Sequence, residues 1–124
     1  MFNHIMLGSN DISRSKTFYD AVIGAMGGGA GTVDAKGRLI YAHRGGVLMI
    51  SPPIDGAAAC GANGGTVGFK VDNEAEGNAW HHAGVTHGGT AVEDSPGMRG
   101  GALWLAYLRD PDGNKLCAAY RPAA

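Results

Sequence analysis

The chain has 124 residues, with ten lysines and arginines against eleven aspartates and glutamates and a formal net charge of −1. That length suits one domain that buries roughly two-thirds of the surface its unfolded form exposes, so folding requires neither a metal nor a disulfide framework. A near-neutral charge without a basic run argues against a nucleic-acid partner, and no apolar stretch approaches the ~20 residues of a membrane span. Two cysteines, Cys60 and Cys117, and a start without a basic segment leading into a long apolar one set the expectation of a reduced, cytoplasmic protein.

In chain order, the first segment alternates Phe2, His4 and Met6 against Asn3, Ile5 and Leu7, the period of a strand. Asp11 then suits a helix N-cap, and Ile12, Phe18, Tyr19, Val22 and Ile23 form an apolar stripe that the glycines at 24–29 bring to an end. Strands are predicted over 32–35, 38–43 and 47–51. Pro52-Pro53 and Asp55-Gly56 mark residues 52–63 as a linker, with Gly64-Gly65 behind it. A second apolar run restarts at Thr66-Val-Gly-Phe69, and Asn73 opens a weaker helix through Trp80 to about Ala83, closed by Gly84 or by Gly88-Gly89. Strands over 90–92, 102–108 and 115–120 follow, with a glycine-rich loop at Pro96-Gly-Met-Arg-Gly-Gly101. Asp110-Pro-Asp-Gly-Asn114 supplies the turn chemistry of a hairpin: Pro111 fixes φ, while Gly113 and Asn114 tolerate positive φ.

Sliding the chain over itself by 62 positions lays His4-Ile-Met-Leu7 on Thr66-Val-Gly-Phe69, Asp11 on Asn73, Phe18-Tyr19 on Trp80-His81 and Gly27 on Gly89. Each half reads as strand, helix, then three strands. The fold expected is α+β: two βαβββ modules in a single domain spanning 1–124, module one about 1–51 and module two about 64–124.

These paired modules, the opening His4-Ile-x-Leu with Ser15-Lys-Thr-Phe-Tyr19, the Gly64-Gly-Thr-Val-Gly-Phe69 restart and the closing Asp110-Pro-Asp-Gly-Asn-Lys-Leu116 resemble the vicinal oxygen chelate superfamily. That superfamily contains glyoxalases, bleomycin-resistance proteins and extradiol dioxygenases. The resemblance implies curled mixed sheets, each a half-open cup around a pocket, and pairs of modules, often in dimers, that complete a site. It also implies metal ligands on the first and last strand of each module. Carried onto this chain, those places hold His4, Met49, Thr66 and Cys117. Only His4 is a usual ligand type, because His is common where Thr66 stands and Glu where Cys117 stands. One imidazole, a thioether, a hydroxyl and a thiol poorly suit a Lewis-acid metal centre, so no metal site and no cofactor is expected.

His4 and Tyr107 are the candidate catalytic residues: an imidazole can shuttle protons without a metal, and a phenol can orient a ligand. Met49, Thr66, Trp104, Cys117 and Arg99 are the candidate ligand-binding residues. Trp104 and Tyr107 have opposite strand parity, so at most one faces the pocket. Cys117 reads as either a nucleophile or strand core, and Arg99 either holds a carboxylate or phosphate over the pocket mouth or stays a solvated loop residue. The function expected is a binder of a small organic molecule, acting as a homodimer. The alternatives are a divalent-metal-dependent glyoxalase-like lyase, isomerase or dioxygenase, and a catalytically inactive structural dimer.

Overall fold

Asp11 and Asn73 cap the two helices as the sequence predicts, each through its side-chain oxygen: Asp11 accepts from the Arg14 N–H and Asn73 from the Glu76 N–H. The computed structural model describes residues 1–122. It contains β1 (Ile5–Gly8), α1 (Ile12–Ala25), β2 (Thr32–Val33), β3 (Leu39–His43), β4 (Gly46–Ser51), β5 (Val67–Lys70), α2 (Glu74–Thr86), β6 (Thr90–Ala91), β7 (Gly97–Arg99), β8 (Leu103–Arg109) and β9 (Lys115–Tyr120). The first sheet has the order β1-β4-β3-β2 and the second β5-β9-β8-β6, with β7 also on β8. In each, the first strand runs parallel to the last and the remaining pairs are antiparallel. Both sheets are open layers with free edges, where curled cups were expected.

Three departures from the predicted elements have local causes. β2 stops at Val33 because Asp34 turns the chain, its Oδ1 accepting from the Lys36 and Arg38 N–H groups. α2 runs on to Thr86 because Gly84 is a packing glycine and not a terminator: a Cβ there would stand 2.3 Å from Leu108 Cδ1. Gly77 serves the same end, lying against the Trp104 ring, where a Cβ would come within 2.2 Å. β7 lies inside the segment predicted as loop; it is defined by its pairing with Leu103 to Leu105 and not by its own Pro- and Gly-rich residues.

One face of each sheet carries the helices. Phe18, Tyr19, Val22 and Ile23 of α1 are buried with Leu39, Tyr41 and Ile50 of the first sheet, and Trp80 of α2 with Trp104, Leu108 and Leu116 of the second. Burying each such side chain contributes about 1.5–3 kcal/mol. The helices also pack on each other, which joins the modules into one core. Residues 52–66 are no loose tether, since Asn10 and Ala59 exchange two hydrogen bonds and Gly61 lies against Gly113.

Candidate functional site

Strand alternation sends every second side chain away from the helices. In module one that helix-free face carries Met6, Met49 and Ile40, which stand beside one another in register. Leu48 and Ile50, the neighbours of Met49, point into the core. In module two the same face carries Gly68, Cys117 and Tyr107, again in one row. His4 and Thr66 occupy equivalent exposed positions just ahead of β1 and β5.

The environment of each expected residue follows from this arrangement. His4 Nδ1 lies 2.7 Å from Asn3 Oδ1 and has no other side-chain partner among the described residues. Tyr107 is half-buried, with Lys115 Nζ 5.0 Å above its ring and Lys115 ion-paired to Glu93. Cys117 is 8% exposed, and burial pushes its thiol above the ordinary value, a nearby Lys115 only partly offsetting this. A protonated, enclosed thiol is a poor nucleophile. Trp104 takes the other parity and lies 1% exposed beneath α2, so it belongs to the core and does not line the helix-free face. Arg99 is half-buried; its guanidinium donates to the carbonyls of Asp94, Ser95 and Gly97, and so ties down its own loop.

Apart from Trp104 in the core and Arg99 tied to its own loop, the predicted residues fall into two sets, one on each sheet. Two hollows are present elsewhere. One of about 230 Å³ lies in the seam between modules, lined by Ile5, Tyr41, Leu48, Val67 and Phe69 among others. The other, of about 560 Å³, lies at the end of the module-one face beside Met6. None of the expected site residues lines either hollow. The second is bordered by Lys36, Arg38 and Ser51, which the sequence reading passed over. Their sequence signal is parity: Arg38 shares it with Ile40 and Ser51 with Met49, so both stand on the Met49 side.

The modules are locked together by their hairpin turns. Asp110 of the β8–β9 turn accepts the Tyr19 hydroxyl at 2.5 Å, and Asn114 donates to the Gly8 carbonyl at 3.0 Å. Asp112 pairs with Arg14 at 2.8 Å at the start of α1. Reciprocally, Arg44 of the β3–β4 turn pairs with Glu76 and Asp72 around the start of α2, at 2.5 and 3.0 Å.

Two repeated modules, βαβββ in the first half and the same order with the extra strand β7 in the second, joined through their helices and each with a helix-free sheet face, define the class of fold. The chain belongs to the Glyoxalase/Bleomycin resistance protein/Dioxygenase superfamily, whose model matches residues 1–118. A glyoxalase/bleomycin resistance protein from Albidiferax ferrireducens is 47% identical, with a TM-score of 0.94, over 98% of this chain and 99% of that one. The fosfomycin resistance protein FosX from Mesorhizobium loti is 12% identical, with a TM-score of 0.72, over 98% and 92% of the two chains. A lactoylglutathione lyase from Agrobacterium tumefaciens is 18% identical, with a TM-score of 0.65, over 95% and 92%. The last two share the fold. Comparison with curated proteins gives no match.

The divalent metal that the fold family implies does not fit the donors present. Its four strand positions hold one exposed imidazole, a thioether, a hydroxyl and a thiol kept protonated by burial. Among the described residues no three His, Cys, Asp or Glu side chains gather into a group able to hold a metal ion.

Proposed function

We propose that the protein binds a small organic molecule on its helix-free sheet faces, without a metal centre of the family's usual kind. The observation that carries this reading is the chemistry of the row formed by Gly68, Cys117 and Tyr107 and of its counterpart Met6, Met49 and Ile40. Both are apolar surfaces with very few polar groups, the composition of ligand sites and not of Lewis-acid centres. Tyr107 supplies a hydroxyl at one end of its row, and His4 an imidazole just ahead of the strand that carries Met6. That FosX and a lactoylglutathione lyase share the fold is consistent with a small organic ligand.

In this reading a second copy of the chain covers the faces and closes the cleft, since the two sets of residues in one chain lie on separate sheets. Met6 is 44% exposed, and Met49 and Ile40 beside it are only half-buried, so the uncovered face presents a contiguous apolar strip of the kind a partner covers.

The test uses tag-free protein. Its mass in solution, its metal content and its thermal stabilisation by a panel of small aromatic and aliphatic compounds are measured together. A ligand at a hundredfold excess over Kd stabilises by about 2.7 kcal/mol, on the order of 10 °C in Tm. We expect a dimer, such a stabilisation by at least one compound, and its loss on Met49→Arg or Tyr107→Ala. Stoichiometric metal that disappears with His4→Ala would overturn the metal-free reading in favour of a metal-dependent enzyme. Failure of every compound to stabilise the protein would leave a structural dimer.

A further inference from the structure

The hollow at the end of the module-one face sets two cations beside an apolar wall. Met6, Pro53 and Ile54 give it an apolar wall, and Lys36, Arg38 and Ser51 a polar one. No carboxylate is in its lining, but Asp34 behind it forms an ion pair with Arg38, so Lys36 supplies the charge that no carboxylate offsets among the described residues. Its volume of about 560 Å³ falls within the ~300–1,000 Å³ typical of sites for small organic ligands.

The turn before β3 prepares the arginine. Asp34 Oδ1 accepts from the N–H groups of Lys36 and Arg38, each at 2.9 Å, which fixes the backbone beneath both cations. Asp34 Oδ2 accepts from Arg38 Nε at 2.8 Å. Held by that one edge, the guanidinium keeps its two terminal nitrogens, which among the described residues have no hydrogen-bond partner. Two parallel N–H donors on a fixed plane match a carboxylate or phosphate, which can accept both at once. Lys36, exposed at the rim, adds a mobile point charge.

We infer that this hollow is an anion subsite: Arg38 and Lys36 take the carboxylate or phosphate head of a small organic anion whose apolar body lies on Met6, Pro53 and Ile54. The inference rests on the reading that the helix-free face of module one receives a small organic molecule, and it adds the charge class of that molecule. Binding there places the apolar body beside Met49 through their shared register with Met6.

The full chain is titrated by NMR with hexanoate, phenyl phosphate and the neutral 1-hexanol, following the methyl signals of Met6 and Met49 and the Arg38 Nε–H. The two anions are expected to shift all three signals, and to weaken at least about fivefold as salt is raised from about 20 to about 200 mM. Lys36→Met and Arg38→Met are expected to weaken anion binding at least about fivefold each while leaving hexanol unchanged, and Arg38→Lys to lose the bidentate part while retaining the charge. Anion binding untouched by Lys36→Met and Arg38→Met, or hexanol bound as tightly as hexanoate, overturns the subsite and leaves the helix-free-face reading standing. Silence of Met6 and Met49 towards all three compounds sinks both. Should Arg38→Met disturb the Asp34 turn and fail to fold, Lys36→Met decides alone, because only its backbone takes part in that turn.

Discussion

Asp110 is 4% exposed and fully used as an acceptor: Oδ1 takes the N–H groups of Asp112 and Asn114, and Oδ2 the Tyr19 hydroxyl and the Asn114 amide. Asp110→Asn turns one of those oxygens into a donor facing a donor. We expect a loss of roughly 2–3 kcal/mol, read as a fall in the urea midpoint at unchanged slope; an unaltered midpoint would show the hub to be dispensable. Cys117 offers a second test at this scale. With its thiol pushed up by burial and Cys60 exposed, iodoacetamide at pH 8 should label Cys60 first and Cys117 at least about tenfold more slowly. Equal rates by peptide mapping would contradict the enclosed thiol. The turn character of Asp110-Pro-Asp-Gly-Asn114 is legible in the sequence, since Pro, Gly and Asn act locally. Its partner Tyr19 is not, because the two are brought together only when the modules dock.

The elements are joined by two ion-pair clamps of inverted sign. The third residue of each helix meets the hairpin turn of the other module: Arg14 meets Asp112, and Glu76 meets Arg44. Unlike modules thus attract at both contacts, whereas two copies of the same module in this geometry would set Arg44 against Arg14, or Asp112 against Glu76. The clamp therefore favours the pairing of module one with module two. Glu76 is held below the usual carboxylate range, chiefly by the hydrogen bond from Arg44. Because the pair is partly solvated, Arg44→Glu is expected to cost only about 1 kcal/mol, and the double exchange with Glu76→Arg to recover most of it. Additive losses in thermal melts would show that the two side chains do not act as a pair. Helix starts, hairpins and the repeat are visible in the sequence at this scale, because N-caps and turns are local. The extra turn of α2 and β7 are not, since Gly84 under Leu108 and the pairing with β8 depend on distant residues.

For the molecule as a whole, buried polar pairs set the pH range of stability. The phenols of Tyr19 and Tyr41 are raised above their ordinary value of 10.0, first by burial and then by Asp110 and Asp20 respectively. The folded state keeps these protons while the unfolded chain releases them, so this stability is complete below the ordinary phenol value and falls as pH climbs past it. Asp20 moves the other way: burial alone would raise it, but hydrogen bonds from the Gly31 N–H, Lys16 and Tyr41 outweigh that and hold it low. Its contribution, like that of Glu76, is present above the ordinary carboxylate range and is lost on acidification. Tm should therefore be flat between about pH 5 and pH 9 and fall on both sides. A Tm still rising beyond about pH 10 would contradict the buried phenols. Among the described residues no helix is long and apolar enough to cross a membrane.

By itself the sequence determined the two modules, their helix caps, the closing hairpin and the strand parity that separates Trp104 from Tyr107, since all of these follow from local periodicity and turn chemistry. Only the tertiary structure decided sidedness. Parity says that two residues face opposite ways, but the docking of α2, with Gly77 against the indole, sends Trp104 into the core and leaves Tyr107 beside Cys117. The same step splits the expected site between two sheet faces and brings Arg38 round to the Met6 side, where a turn built by Asp34 holds it beside Lys36 at the second hollow.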